Sequence, residues 1–430
     1  MKPTLKKPIR VFVLLPFLST GLAWLLTHWS LSGLVVCLAL LAPGALIASQ
    51  IGGKRTNWAL LLGLLSYAYP LGEITLYTIS PPLSATGFNK PNAQPDAIRG
   101  YRWIGDSIRY FKHRMGQVVF DNTFYPNSQG WIMKQDYFYD KKDSNTLRWM
   151  LFGNSFSAGI MLEENMPNRV QSIFNRELSE QKNEVYSFSS EGVGLMNWYN
   201  TFYKEVIPEY QFDGVVLCIY EDNLYRGFTI MQIKEDNCFM VRTDSAGWSE
   251  EDSDLSTEVS YDNSNFFYSN QHIDQFLAQP SKPFKWPLKN LISSLFKGRS
   301  NNPLSARKPA QNLLELEKKM GLRKYTMLKD IIALCQKENK PLVISSIPAK
   351  KLLLETQPGD KNWHQMELEL IAREYQLHYF DGYEVFKHMT PEEINAHWLQ
   401  YDGHWNQKGS NLFADTFALY LNEIGKAQNE

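Results

Sequence analysis

Arg148-Trp149-Met150-Leu151-Phe152-Gly153-Asn154-Ser155-Phe156-Ser157-Ala158-Gly159 is the stretch from which the rest of the chain can be read. Its opening is a short, largely apolar run bounded by a glycine, the pattern of a buried strand. Gly153-Asn154-Ser155 then marks a turn, and helical spacing follows over Asn168–Gln181. A serine on a strand-to-helix turn stands where a ligand can reach it. Its hydroxyl is a weak nucleophile near neutral pH and needs a base, which in turn needs an acid to orient it. Far along the chain, Asp402-Gly403-His404-Trp405-Asn406-Gln407-Lys408-Gly409 offers both. Asp402 and His404 share a glycine-containing turn, so the carboxylate can hold one ring nitrogen while the other faces Ser155.

Outward from this stretch, strands and helices alternate. Strand candidates are Arg148–Phe152, Glu184–Ser189, Gly214–Tyr220, Pro341–Ile347 and His378–Phe380. Helix candidates are Asn168–Gln181, Met196–Val206, Lys324–Glu338, His364–Glu374 and Gln407–Leu421. Such alternation predicts an α/β fold with a parallel sheet covered on both faces. Ligands on such sheets bind beyond the carboxyl ends of the strands, and Ser155 sits just past one. The alternation breaks between Tyr225 and Ala310. Within that break, Ser249–Glu258 is acidic and reads as a solvated loop. Lys282–Lys297 is basic and amphipathic, and either lies on a membrane surface or packs on the domain.

These residues carry a family resemblance. Gly153-Asn154-Ser155-Phe156-Ser157 resembles the first block of the SGNH (GDSL) hydrolase superfamily, which normally reads Gly-Asp-Ser. Asp402-x-His404-Trp405-Asn406-x-x-Gly409 resembles its last block. The tryptophan there is also similar to the Asp-x-His-Trp motif of SGNH-like alginate acetyltransferases. Ser189-Ser190-Glu191-Gly192-Val193-Gly194 resembles the second block, and Val215–Ile219 with Tyr220-Glu221-Asp222-Asn223 the third. The resemblance runs from Phe120 to Leu421, with Tyr225–Ala310 unmatched. It implies a three-layer α/β/α, flavodoxin-like fold and ester hydrolysis or acyl transfer. It implies Ser155 as nucleophile, His404 as general base and Asp402 as its orienter. It further implies an oxyanion hole built from the backbone of Ser155 and Gly192 and an asparagine side chain.

Two positions depart from the family pattern. Asn154 replaces an aspartate that is structural rather than catalytic. In the third block the family reads Asn-Asp, whereas this chain reads Asp222-Asn223. In register, Asp222 would take the asparagine position and repel an oxyanion. A one-residue bulge would restore Asn223, and Asn223 is the residue expected there. Trp405 is either a sugar-stacking platform or a packing residue.

The chain has 430 residues, more than one ordinary domain needs. A net charge of -1 gives no electrostatic footprint for nucleic acid. Aromatic residues make up 13%, which argues against disorder. The four cysteines, Cys37, Cys218, Cys238 and Cys335, show no metal-ligand spacing and no disulfide framework. Neither a metal nor an organic cofactor is expected.

From Val11 to Gly53 there is no Lys, Arg, Asp or Glu. Crossing a bilayer takes roughly 20 apolar residues. Val11–Thr27, Leu31–Ile51 and Trp58–Ile79 are therefore expected to span the membrane, with Glu73 in the headgroup region. Lys2, Lys6, Lys7 and Arg10 precede the first segment, and Lys54 and Arg55 separate the second from the third. The positive-inside tendency places these in the cytoplasm and everything after Ile79 outside it. The expected organisation is a membrane anchor over 1–79, a linker and packing segment over 80–146, and a main domain over 147–430 with an insertion at 225–310. The expected function is a membrane-anchored serine esterase or O-acyltransferase working on an acylated glycan or lipid. The alternative is a catalytically silent module of the same fold that binds a cell-surface polymer.

Overall fold

The computed structural model describes residues 85–114, 117–141, 146–176, 178, 182–234, 237–243, 260–278, 307–357 and 359–429. The apolar segments Val11–Thr27, Leu31–Ile51 and Trp58–Ile79 lie outside them, as do Ser249–Glu258 and Lys282–Lys297. Among the described residues, no helix is long and apolar enough to cross a membrane.

Five strands come first: β1 (Ala85–Phe88), β2 (Ala93–Asp96), β3 (Gly100–Trp103), β4 (Ile108–Arg114) and β5 (Gln117–Phe124). Strand β6 (Leu147–Gly153) leads through helices α1 (Ser155–Ala158) and α2 (Met166–Arg176) to β7 (Asn183–Ser189). Helix α3 (Leu195–Thr201) continues as a π-helical turn, Phe202–Val206, and returns to β8 (Gly214–Ile219). Next come β9 (Phe228–Lys234), β10 (Asn237–Thr243), β11 (Ser260–Phe267) and α4 (Asn270–Ala278). Helices α5 (Leu313–Met320) and α6 (Leu322–Lys337) precede β12 (Leu342–Ser346). Helices α7 (Lys350–Glu355) and α8 (Trp363–Tyr375) precede β13 (His378–Phe380), and α9 (Pro391–Ala396) and α10 (Gln407–Asn429) follow it.

The central sheet has the order β13-β12-β8-β6-β7, and every neighbouring pair is parallel. All residues of β6, β8 and β12 are buried, as a sheet covered on both faces requires. Right-handed crossovers put α2 on one face and α3, α6 and α8 on the other. Helix α10 packs on α2, and α6 packs on α3, so each face carries a helical layer. From β6 the chain steps to β7 on one side, then crosses back to β8 on the other. The strand order therefore reverses at the β6/β8 pair, where sheets of this kind open a ligand crevice.

A second sheet of six strands has the order β5-β4-β1-β11-β10-β9. It combines residues 85–124, part of the expected linker and packing segment, with strands from the segment that the family pattern leaves unmatched. The pairs are antiparallel except β1 with β11. No local signal announces this pairing. β5 is largely exposed, and β1 and β9 to β11 come together from positions far apart in sequence.

Residues 125–141 seal the edge of the central sheet. The Tyr137 hydroxyl donates to the Ser187 carbonyl at 2.7 Å and accepts from the Ser187 N–H at 2.8 Å. Its ring stacks on Tyr186 with centroids 4.3 Å apart, so the outer edge of β7 is covered. Arg148, fully buried at the start of β6, donates to the carbonyls of Phe138, Tyr139, Asp140 and Gln211 and pairs with Glu184 at 2.8 Å. A guanidinium can be buried only when its donors are this fully used. Cys218 and Cys335 are buried free thiols.

Candidate active site

Strand β6 delivers its chain end to the crevice, and Gly153 lets it turn there. A Cβ at Gly153 would lie 2.3 Å from Ser157 Oγ and 2.8 Å from Ser189 Oγ, so only glycine fits. Asn154 caps the short helix that follows. Its side-chain oxygen accepts from the Phe156 N–H, and its carbonyl accepts from those of Ser157 and Ala158. The helix ends at Gly159, which is left-handed at φ 54°. The remaining N–H of this first turn, that of Ser155, has no acceptor among the described residues. Ser155 thus presents a partly exposed hydroxyl and an open backbone donor side by side.

His404 meets it from the other end of the chain. Ser155 Oγ lies 2.7 Å from His404 Nε2, and His404 Nδ1 lies 2.5 Å from Asp402 Oδ1. The same Asp402 oxygen accepts from the His404 backbone N–H at 2.9 Å, which fixes the turn. Asp402 Oδ2 is held by the Lys112 ammonium from β4. Burial raises the Asp402 carboxyl, but the His404 hydrogen bond and the charges of His404 and Lys112 outweigh it. They hold the group well below the usual carboxylate range. Arg114, also on β4, donates to the Tyr401 carbonyl at 3.0 Å. The second sheet therefore grips the turn that carries His404.

The second sheet and β3, which among the described residues pairs only with β2, also hold the loop after β7. Gly192 has a φ of 72°, and a Cβ there would lie 2.6 Å from Met240 Sδ. The Gly192 carbonyl accepts from Thr229 Oγ1 at 2.9 Å, and the Glu191 carbonyl accepts from Tyr101 Oη at 2.8 Å. The Gly192 N–H has no acceptor among the described residues.

Asn223, expected as the third oxyanion donor, is fully buried and ties parts of the scaffold together. Its oxygen accepts from the Tyr220 N–H at 2.7 Å and from Asn154 Nδ2 at 2.9 Å, while its Nδ2 donates to the Val193 carbonyl at 3.0 Å. These bonds lock together the ends of the first three sequence blocks. Asp222 does not fill the hole either, because its carboxylate pairs with Arg226 at 2.6 Å. The Asp-Asn order is thus explained by two structural partners, Arg226 and Asn154.

Aromatic rings wall the relay. Phe156 packs on His404, Tyr220 and Trp405 with centroids 4.6, 4.6 and 5.0 Å away. Trp405 is fully buried between Phe156 and Phe413, so its role is packing and not stacking on a sugar. Two residues at the site were not singled out by sequence: Lys112 and Glu191. Lys112 lies in a segment without a family motif. Glu191 lies inside a motif but at a position the pattern leaves free. Among the described residues, no group of three or more His, Cys, Asp or Glu side chains is arranged to hold a metal ion.

No family model and no curated protein matches the sequence. Several solved structures show a distant likeness. The lipase Lip_vut3 from a goat rumen metagenome aligns at 12% identity with a TM-score of 0.33, over 64% of this chain and 97% of that one. A Bacillus subtilis protein aligns at 10% identity and a TM-score of 0.35, over 74% of this chain and 66% of its own. A lipase/acylhydrolase from Enterococcus faecalis aligns at 14% identity and a TM-score of 0.30, over 65% and 96%. These likenesses are too distant to assign a family.

Proposed function

We propose that this protein is a serine esterase or O-acyltransferase that forms an acyl-enzyme on Ser155. The observation that carries this reading is the unbroken chain Ser155 Oγ–His404 Nε2 and His404 Nδ1–Asp402 Oδ1, at 2.7 and 2.5 Å. With the Nδ1 proton held by Asp402, Nε2 is free to take the serine proton as Oγ attacks an ester carbonyl. The negative charge then develops beside the open N–H groups of Ser155 and Gly192. His404 returns the proton to the departing alcohol. Water or a second hydroxyl, activated by the same nitrogen, releases the acyl group.

The acceptor decides between hydrolysis and transfer. Water gives an esterase, and a sugar hydroxyl gives a transferase. The apolar segments Val11–Thr27, Leu31–Ile51 and Trp58–Ile79, with basic residues before the first and third, support an anchored protein whose site faces away from the cytoplasm. An acylated glycan or lipid near the bilayer surface is the substrate class that fits such an anchor. The burial of Asn223, with one of its two Nδ2 hydrogens spent on the Val193 carbonyl, favours a second reading, a silent module.

One experiment separates the two. The purified protein is pulsed with 4-nitrophenyl acetate, quenched in acid and digested for mass analysis. An acetyl group on the Ser155 peptide, absent in Ser155→Ala, supports the enzyme. A folded protein that never carries the acetyl group is the silent module.

A further inference from the structure

We infer that the loops after β8 and β12 form a subsite beside Ser155 that holds the hydroxyl groups of a glycan, with the Glu221 carboxyl as its acceptor. The inference rests on the serine-enzyme reading above and narrows its substrate class from glycan or lipid to glycan.

Strands β6, β8 and β12 are parallel neighbours, so the chain leaves all three at the same edge of the central sheet. Ser155 follows β6, Tyr220 and Glu221 follow β8, and Ala349 to Lys351 lie just past β12. Ligands on such sheets bind beyond this edge. The Tyr220 ring links the two places. It stacks on Phe156, the residue after Ser155, with centroids 4.6 Å apart. It also packs against the buried cluster of Ala349, Leu352, Trp363 and Tyr383.

Glu221 is only 6% exposed, yet its carboxyl has no hydrogen-bond partner among the described residues. Buried polar groups are rarely left so. Oε1 alone of its two oxygens is sealed from solvent, so the other can be reached. Two buried donors of the same neighbourhood, Trp363 Nε1 and His364 Nε2, are also without a partner there. Tyr383 Oη accepts from the Ala349 N–H at 3.2 Å, so its own proton goes to His364 Nδ1 at 3.1 Å. The imidazole, kept neutral by burial, then carries its proton on Nε2. The Arg307 guanidinium lies 3.9 Å over the Tyr225 ring and 4.2 Å over that of Trp363, which leaves its edge for bonding. A cationic ligand would meet Arg307, Arg226 and Lys351, and an anionic one Glu221 and Asp222, the charges that act on one another here. A hydrocarbon chain would leave the carboxyl unpaired. A neutral hydroxyl both donates and accepts, and so serves an open carboxyl and open N–H groups alike.

The test compares two acetate esters of similar shape, 6-O-acetylglucose and cyclohexylmethyl acetate, which differ in their hydroxyl groups. Turnover of each is measured for the wild type, Glu221→Gln and Glu221→Ala. The wild type should favour the sugar ester in kcat/KM. Glu221→Ala should lower the ratio of the two kcat/KM values by about 10-fold, the cost of one hydrogen bond to a charged group. Glu221→Gln, whose amide still accepts, should lower it less. Circular dichroism checks that both variants fold. A folded Ala variant with the wild-type ratio overturns the proposal, as does a wild type that favours the cyclohexylmethyl ester. Labelling by a fluorophosphonate separates the two failures. Ser155 that labels while the ratio gives either of these results sinks the subsite alone. Wild type that does not label sinks the serine-enzyme reading and this inference with it.

Discussion

Lys112 gives the relay its second anchor. Asp402 has two oxygens, one spent on His404 and the other on the Lys112 ammonium, and both side chains are largely shielded from water. A hydrogen bond between charged groups is worth about 1.5–3 kcal/mol. Lys112→Met should therefore lower kcat by about 10- to 100-fold and leave KM nearly unchanged, because Lys112 acts through Asp402 and not on substrate. A variant with an altered KM and an intact kcat would contradict this. At this scale, Ser155, Asp402 and His404 were legible because each sits in a short motif with its own local geometry. Lys112 was not, since nothing near β4 refers to a turn at the far end of the chain. Asn223 was legible as important but not in its role. Its side chain could be assigned to hole or scaffold only once Asn154, Tyr220 and Val193 were in place around it.

At the scale of elements, the site depends on close approach. The end of β6, the start of α1 and the end of β7 meet at Gly153 with no room for a methyl group. Gly153→Ala should destabilise the protein by about 1–3 kcal/mol, the common cost of overpacking, and slow Ser155 acylation as well. Thermal melts and acylation rates measured together check this. Gly192→Ala differs, because the Met240 side chain can move but the φ of 72° cannot be relieved. Its expected effect is a loss of turnover larger than its loss of stability. The inner strands β6 and β8 of the central sheet were readable as largely apolar runs, and the alternation of all five strands with helices gave the layering. The second sheet was not readable. Its strands join two regions that are remote in sequence, and the π-helical turn after α3 has no recognisable sequence cue.

At the scale of the whole molecule, buried carboxyls set how stability follows pH, and burial also raises Glu205 and Asp381. Burial raises both Glu191 and Glu221 to about 7, with Asp222 also raising Glu221 and Lys351, Arg307 and Arg226 opposing. An unfolded glutamate titrates near 4.3, so the native state holds these protons more tightly than the unfolded chain. Their contribution is full below that unfolded value and is lost as pH rises through about 7. Asp402 has the opposite sign, since its lowered value adds stability that disappears only in strong acid. The melting temperature should peak at mildly acidic pH and fall toward pH 8, and Glu221→Gln should flatten part of that fall. Calorimetric scans across this range would show it, and a melting temperature rising through pH 7 would refute the assignment.

The central claim is that the fold makes one serine nucleophilic. It is tested most directly by labelling the purified protein with a fluorophosphonate beside Ser155→Ala and His404→Ala. The predicted result is labelling of wild type that both substitutions abolish. A properly folded wild type that does not label, or a Ser155→Ala variant that still does, would contradict the claim.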